Sequence, residues 1–452
     1  AFAGSPCVGC FFFFSMPILQ PRSHGPFSWC CHKLRLLKLR IDTAAEDEAV
    51  IRLRSRMQEI KPDHVFVMIP PRHISEFFRI DNTIGEGGFG TVFKAKPLPD
   101  GCKLVKKLQC NKEYAIKMVK FQKKAGLAEE IGYSLLAVSP ERHREFLLGL
   151  TSAGPFENGM IGLHAAFIHP GEALYQVMEL LEGPDLFDYL AARSCKLKEM
   201  DAICLVRQMV EAVHYMHRSL GALHRDIKPE NFGFYKPPIS GQPLPPLKLF
   251  DVGLAWVLRS PVTEETSKDL LHIKRCGTAC YMAPEVWDGN TGPPSDVWSL
   301  GVVSYIVTSL EVPFKLMESK SPKLAVRSNT LSFDTSAWTN TSQQAKDFLQ
   351  AMLHKDWSKR LTTSEALQHE WLTAMDPREK DPLSGDAGAA LPSISEGSGS
   401  SAELTPTSLP MVAALPAKTR RSEAGLFESM SVMPEKFFAE TATAPSPDAS
   451  RV

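Results

Sequence analysis

Charge of one sign is what this sequence lacks: 51 Lys and Arg stand against 51 Asp and Glu over 452 residues, a formal net charge of zero. Such a balance gives no support to general nucleic-acid binding and leaves only local charge to interpret. No internal repeat is apparent, which sets solenoids and propellers aside. The ten cysteines are scattered, and the close pairs Cys7/Cys10, Cys30/Cys31 and Cys276/Cys280 have no partners at metal-site spacing. Reduced thiols and a cytoplasmic chain are the expectation. An unbroken apolar span is missing too. Residues 1–20 carry no charge and include Phe11 to Phe14, but Pro6, Pro17 and the glycines interrupt them and no basic region precedes them, so a membrane segment is the less favoured reading. Cys30 and Cys31 lie beside Lys33, Arg35, Lys38 and Arg40; a solvated basic strand or helix is preferred, with acylation and membrane contact as the alternative. The chain begins at Ala1 rather than Met, so it reads as a fragment and a targeting signal upstream stays open.

What is present is 44% apolar residues, ample for one large or two ordinary domains. Thr43 and Glu46 have capping-box spacing, and Val50, Leu53, Met57 and Ile60 follow at helical intervals, which predicts a helix over 44–61 ended by Pro62. Its apolar stripe wants a partner, either the neighbouring domain or a short coiled coil. From Phe78 the pattern turns strand-like, and Ile84-Gly85-Glu86-Gly87-Gly88-Phe89-Gly90-Thr91-Val92 presents G-x-G-x-x-G. Alone that is a weak signal, since a dinucleotide fold needs a helix directly after the glycines. Thr91-Val92-Phe93 is β-branched and aromatic, so the glycines sit at a hairpin tip. A second alternating strand, Tyr114-Ala115-Ile116-Lys117, follows. Ser139-Pro140 starts a helix that carries Glu145. Ile203, Val206, Met209, Val210 and Val213 have helical spacing and belong to a core, not to a cofactor box.

The stretch the chain is organised around is Leu223-His224-Arg225-Asp226-Ile227-Lys228-Pro229-Glu230-Asn231. From Asp226 to Asn231 it gathers a carboxylate, an ammonium and an amide, the equipment to orient a hydroxyl, neutralise a phosphate and hold a divalent metal. A second carboxylate, Asp251, closes the apolar run Leu247-Lys-Leu-Phe250.

Taken in order with Cys276-Gly277-Thr278 and Ala283-Pro284-Glu285, these motifs make residues 78–372 resemble the eukaryotic Ser/Thr protein kinases. Gly183-Pro-Asp-Leu-Phe-Asp-Tyr-Leu and Gly301-Val-Val-Ser-Tyr look most like the calcium/calmodulin-dependent group. The resemblance implies an α+β bilobal protein-kinase fold: a small β-rich lobe of five strands with one main helix, and a larger helical lobe. ATP and Mg2+ are the implied cofactors and proteins the implied substrates. Asp226 would act on the acceptor hydroxyl, Lys228 on the γ-phosphate, and Lys117, paired with Glu145 in preference to Glu130, on the α and β phosphates. Thr278 would bond Asp226 and Lys228. The nucleotide would be enclosed by Ile84, Gly85, Glu86, Gly87, Gly88, Phe89, Gly90, Val92 and Ala115. Met178 would be the gatekeeper, Glu179 and Leu181 would meet adenine through their backbones, and Asp185 would reach the ribose or a basic substrate residue. Asn231 and Asp251 would hold the metal. Lys228 also favours Ser/Thr over Tyr as acceptor.

Departures from the family pattern are Val252, where Phe is usual, and Gly233, where a bulky residue lies beneath adenine; both are expected to leave the site less filled. They are the argument for the alternative, a pseudokinase scaffold; retention of Lys117, Asp226, Asn231 and Asp251 argues against it. Lys274 occupies the position of the usual activation-segment phosphothreonine, so activity without that phosphorylation is expected, with Glu264, Glu265 or Asp269 pairing permanently with Arg225. Glu285 and Arg360 are expected to pair and, like Asp296, to be structural. Residues 1–77 form an N-terminal extension. Residues 373–452, rich in Pro, Ser, Ala and Gly, read as a disordered tail, in which Lys418, Arg420 and Arg421 near Leu426, Met430 and Met433 give a faint calmodulin-type helix.

Overall fold

The computed structural model describes residues 66–68, 73–87, 90–105, 107–120, 139–152, 158–169, 173–314 and 321–374. The helix expected over 44–61, the Cys30-Cys31 stretch, Gly88, Phe89, Glu130 and the tail with its basic cluster lie outside them. Among the described residues no helix is long and apolar enough to cross a membrane.

The small lobe is a six-stranded sheet of β1 (Phe66–Met68), β2 (Phe78–Gly87), β3 (Gly90–Pro97), β4 (Tyr114–Lys120), β5 (Leu163–His169) and β6 (Ala173–Glu179), in the order β1-β5-β6-β4-β3-β2. Five strands are antiparallel neighbours; β1 adds a sixth by pairing parallel to β5, Phe66 opposite Ala166. The five antiparallel strands are those expected, and β1 joins them from the segment read as an extension. A core of Ile74, Phe77, Phe78, Tyr114, Ile116, Phe167, Tyr175 and Val177 is buried in this lobe, alternate residues of each strand facing one side as the period of two requires. After β3 comes α1 (Pro99–Leu104). Cys102 there is joined to Cys110 by a disulfide, which corrects the expectation of reduced thiols throughout. The two lie only eight residues apart, with Cα atoms 6.2 Å from each other, within bridging reach. No motif marks either cysteine, because reach depends on the turn between them.

The large lobe is built on α3 (Leu186–Ala191), α4 (Glu199–Arg218) and α5 (Pro293–Ser309). On α4 the buried set Ala202, Ile203, Val206, Met209, Val210, Val213 and Met216 recurs at intervals of three and four, the stripe of a half-exposed helix. Helix α5 is buried on nearly every side, as its polar-poor sequence demands, and two prolines start it where missing N–H groups cost nothing. Its own Trp298 joins Phe314, Trp338, Phe348 and Trp371 in the large-lobe core.

Candidate active site

The glycines shape the roof of the cleft. Strands β2 and β3 pair as a hairpin, with Gly85 opposite Val92 and Gly87 opposite Gly90. Gly90 has φ 135°, and a Cβ there would lie 2.2 Å from the carbonyl oxygen of Met118, so only glycine lets β3 approach β4 at this point. Ile84 and Glu86 are exposed on β2. On β4, Ala115 lies opposite Met178 and Lys117 opposite Gln176.

Lys117 is buried and its ammonium pairs with the Asp251 carboxylate. Burial pushes the Asp251 carboxyl up, but the charge and hydrogen bond of Lys117 outweigh it and hold the group below the usual carboxylate range. Asp251 sits in the left-handed region, φ 61°, which a short polar side chain tolerates. The expected Lys117–Glu145 pair is not formed. Glu145 does lie on a helix begun by a proline, α2 (Pro140–Ser152), but it is exposed and its Oε2 accepts from Arg142 Nη1 at 3.3 Å. Arg142 explains why. Its guanidinium is buried and also donates to the carbonyls of Leu258 at 3.1 Å, Gly221 at 3.1 Å and Leu220, tying α2 to the large lobe with Glu145 turned away.

The catalytic loop hangs from α5. The fully buried Asp296 accepts the N–H groups of His224 at 2.8 Å and Arg225 at 2.9 Å and pairs with His217 at 2.8 Å. Burial raises its carboxyl, yet the His217 hydrogen bond and charge, His224 and the Arg225 amide leave it lowered. This fixes Arg225 at φ 70° and delivers Asp226 to the cleft. Asp226 Oδ1 accepts from Thr278 N at 2.8 Å and Thr278 Oγ1 at 2.7 Å. Lys228 Nζ is 3.1 Å from Asp226 Oδ2 and donates to Thr278 Oγ1 at 3.1 Å. Gly277, at φ 101°, lets the segment pass 2.3 Å from the Arg225 carbonyl, measured from an added Cβ. Asn231 Nδ2 donates to the Asp226 carbonyl at 2.7 Å, which turns Oδ1 the other way.

That amide oxygen and the Asp251 carboxylate are the oxygen donors a Mg2+ ion prefers. Among the described residues no group of three or more His, Cys, Asp or Glu is placed to hold a metal, so the remaining ligands would come from phosphates and water. At the hinge, Met178 is packed against the large-lobe core. The Glu179 carboxylate is buried, accepting from Gly162 N at 2.8 Å with Lys248 Nζ 3.6 Å away. Leu181 follows.

Asp185 caps α3, accepting from Asp188 N at 2.7 Å. Burial, with the charges of Asp188 and Glu230, pushes its carboxyl up to about 6. Glu230 is likewise raised by burial, with Lys228 opposing, and its Oε2 is buried without a hydrogen-bond partner.

The vacancy expected at Gly233 closes. Val252 is half-buried against the large-lobe core. A Cβ on Gly233 would meet Leu181 Cδ1 at 2.7 Å and Phe250 Cε1 at 3.1 Å, so neighbouring side chains already fill that space. Arg225 also differs from expectation: its Nη2 donates to the Lys274 carbonyl at 2.9 Å and to Cys276 Sγ, and its guanidinium lies over Trp256. Glu264 pairs instead with Arg218 and Ser364, each at 2.9 Å. It is thus the backbone of Lys274 that Arg225 meets.

The protein kinase domain family matches residues 78–372. Similar proteins include CDPK-related kinase 7 of Arabidopsis thaliana, 31% identical over 82% of this chain and 58% of that one. Calcium-dependent protein kinase 12 of Oryza sativa subsp. japonica is 31% identical over 66% of this chain and 49% of that one. Death-associated protein kinase 2 of Homo sapiens is 32% identical over 68% and 74%. The chain thus spans about half the length of the plant relatives it matches. With lysine strand, catalytic loop and second carboxylate brought to one cleft inside the matched residues, the chain belongs to the protein kinase family.

Proposed function

We propose that the chain is an ATP-dependent protein serine/threonine kinase that prefers acceptors with basic residues just N-terminal to them. The observation that carries this is the grip on Asp226. Thr278 grips Oδ1 at 2.8 and 2.7 Å, whereas Oδ2 has only the longer contacts of Lys228 Nζ at 3.1 Å and Asn231 Nδ2 at 3.4 Å, so Oδ2 is the oxygen that orients the acceptor hydroxyl and takes its proton. Lys228 then faces both the carboxylate and the incoming phosphoryl group. Lys117 steadies the α and β phosphates, and Asn231 with Asp251 would hold Mg2+. Bound there, Mg2+ would supply positive charge to offset that of the phosphates. Glu230, with a buried carboxylate oxygen that lacks a partner, and Asp185 beside it suit the guanidinium of a substrate arginine.

The rival reading, an ATP-independent scaffold, is separated by experiment. Mg-ATP should raise the unfolding temperature, and the protein should transfer phosphate to a generic basic peptide. Asp226→Asn should lower transfer by about 10²- to 10⁴-fold, the range for general-base removal, while nucleotide binding persists. Undiminished transfer by that variant, or no transfer by wild-type protein that binds nucleotide, refutes the assignment.

A further inference from the structure

Resting on the nucleotide reading above, the geometry points to Phe250 as a specificity-determining residue: its ring, with Leu181, forms the floor of the base site in place of the side chain missing at Gly233. The hairpin of β7 (Phe232–Phe234) and β8 (Leu247–Leu249) pairs Gly233 with Lys248. Phe232 and Phe234 point into the large-lobe core, 1% and 0% exposed, so by strand alternation residue 233 faces the other way. In that direction an added Cβ would lie 2.7 Å from Leu181 Cδ1, 3.1 Å from Phe250 Cε1 and 3.7 Å from Phe250 Cδ1. Gly233 is not among the residues with positive φ. Its backbone would accept any side chain, and what excludes one is a leucine from the hinge and a phenylalanine from the strand before Asp251, meeting over the glycine.

Phe250 is held for this purpose from the main chain. Its N–H donates to the Asn231 carbonyl at 2.9 Å and its carbonyl accepts from His224 Nε2 at 3.1 Å, so the catalytic loop fixes the ring. Its neighbour Leu249 is fully buried in the large-lobe core, whereas Phe250 is half-buried and no member of that cluster. A ring that leaves the core to stand beside a hinge residue presents a flat apolar face to a flat ligand. Stacking of an aromatic side chain on a base tolerates any base but needs one. The floor therefore discriminates a nucleoside triphosphate from a bare polyphosphate, and it couples the base to Asp251, the next residue along.

The test reads binding, not turnover. A trinitrophenyl-ATP probe is displaced from the full chain, without peptide, by ATP or by tripolyphosphate. Phe250→Ala should weaken ATP by about tenfold, roughly the loss of one aromatic contact, and leave tripolyphosphate unchanged. Gly233→Leu should weaken ATP similarly, because the new side chain collides with Leu181 and Phe250. The double variant Gly233→Leu/Phe250→Ala should return to within about threefold of wild type, the large residue having changed strands. Phe250→Leu, which keeps bulk without a ring, carries the test if the alanine variant fails to fold and should lose about threefold. Equal ATP binding by wild type and the Phe250 variants, equal loss of ATP and tripolyphosphate, or additive losses in the double variant overturn the inference alone. Wild-type protein that binds neither ligand overturns the nucleotide reading beneath it.

Discussion

Replacing Glu285 by Ala removes the anionic half of an ion pair whose side chains are 0% and 2% exposed. Arg360 Nη1 and Nη2 donate to Glu285 Oε1 at 2.7 Å and Oε2 at 3.1 Å, a bidentate fork. Nη1 also donates to the carbonyl of Pro294 at 2.6 Å and Nε to that of His354 at 3.0 Å, and the guanidinium lies over Trp298. Ser295 Oγ donates to Glu285 as well, at 2.9 Å. Without the carboxylate a cation stays buried against carbonyls and a ring, with no anion to offset its lost hydration. Breaking such a pair costs about 3–5 kcal/mol. For a domain of this size about 2 °C is lost per kcal/mol, so the unfolding midpoint should fall by about 6–10 °C. Scanning calorimetry on the full chain measures it. The double variant Glu285→Met/Arg360→Met, which removes both charges and keeps volume, should recover most of the loss. A fall under about 2 °C for Glu285→Ala, or a double variant no more stable than the single, would refute the reasoning that the charge left behind is what destabilises.

Two further outcomes follow from the same contacts. Because the Asp185 carboxyl is pushed up to about 6, it is largely neutral at pH 5 and ionised at pH 7. The KM for an arginine-bearing peptide should then fall by about tenfold as pH rises through 6, on the order of one charge-assisted hydrogen bond, and Asp185→Asn should flatten the profile; a wild-type KM independent of pH would refute the role. Because Arg225 is already engaged by the Lys274 carbonyl, Cys276 and Trp256, bacterially made protein treated with phosphatase should keep its transfer activity. Activity that collapses and returns only on phosphorylation of Thr263, Thr266 or Ser267 would contradict it.

The parts of the site legible in the sequence are those whose geometry is local. The glycine hairpin was readable because Thr91-Val92-Phe93 can only continue as a strand, and the loop from Asp226 to Asn231 because its polar groups lie within six residues. What escaped depends on segments that meet across the fold. The Phe250 ring stands over Gly233, seventeen positions earlier, and neither residue alone suggests that one fills the space the other leaves. The same holds for Arg142, whose acceptors Leu220 and Leu258 are 78 and 116 residues away. An arginine on an amphipathic helix reads as solvent-facing until the carbonyls that bury it are known. Likewise β1 contributes only three residues, too few for a period of two to register within the unbroken apolar run from Val65 to Ile69.

Those distant contacts bear most directly on Lys117. Spacing identified the helix that carries Glu145, and the structure has that helix; the partner is what differs, because position along a helix is a local property and its placement against the rest of the chain is not. Two carboxylates can serve the Lys117 ammonium. Asp251 does so here, with the same group that would hold the metal, so lysine and a bound metal would compete for one anion. Glu145 would relieve that competition, but it is turned outward and its carboxylate is held by Arg142, three residues earlier on α2. Arg142 in turn is anchored by three main-chain carbonyls of the large lobe, and buried donors and acceptors of that kind are not given up singly, since each left unmade costs about 1–3 kcal/mol. The Arg142 set therefore holds α2 where it is, and Asp251 rather than Glu145 is the carboxylate beside the Lys117 ammonium.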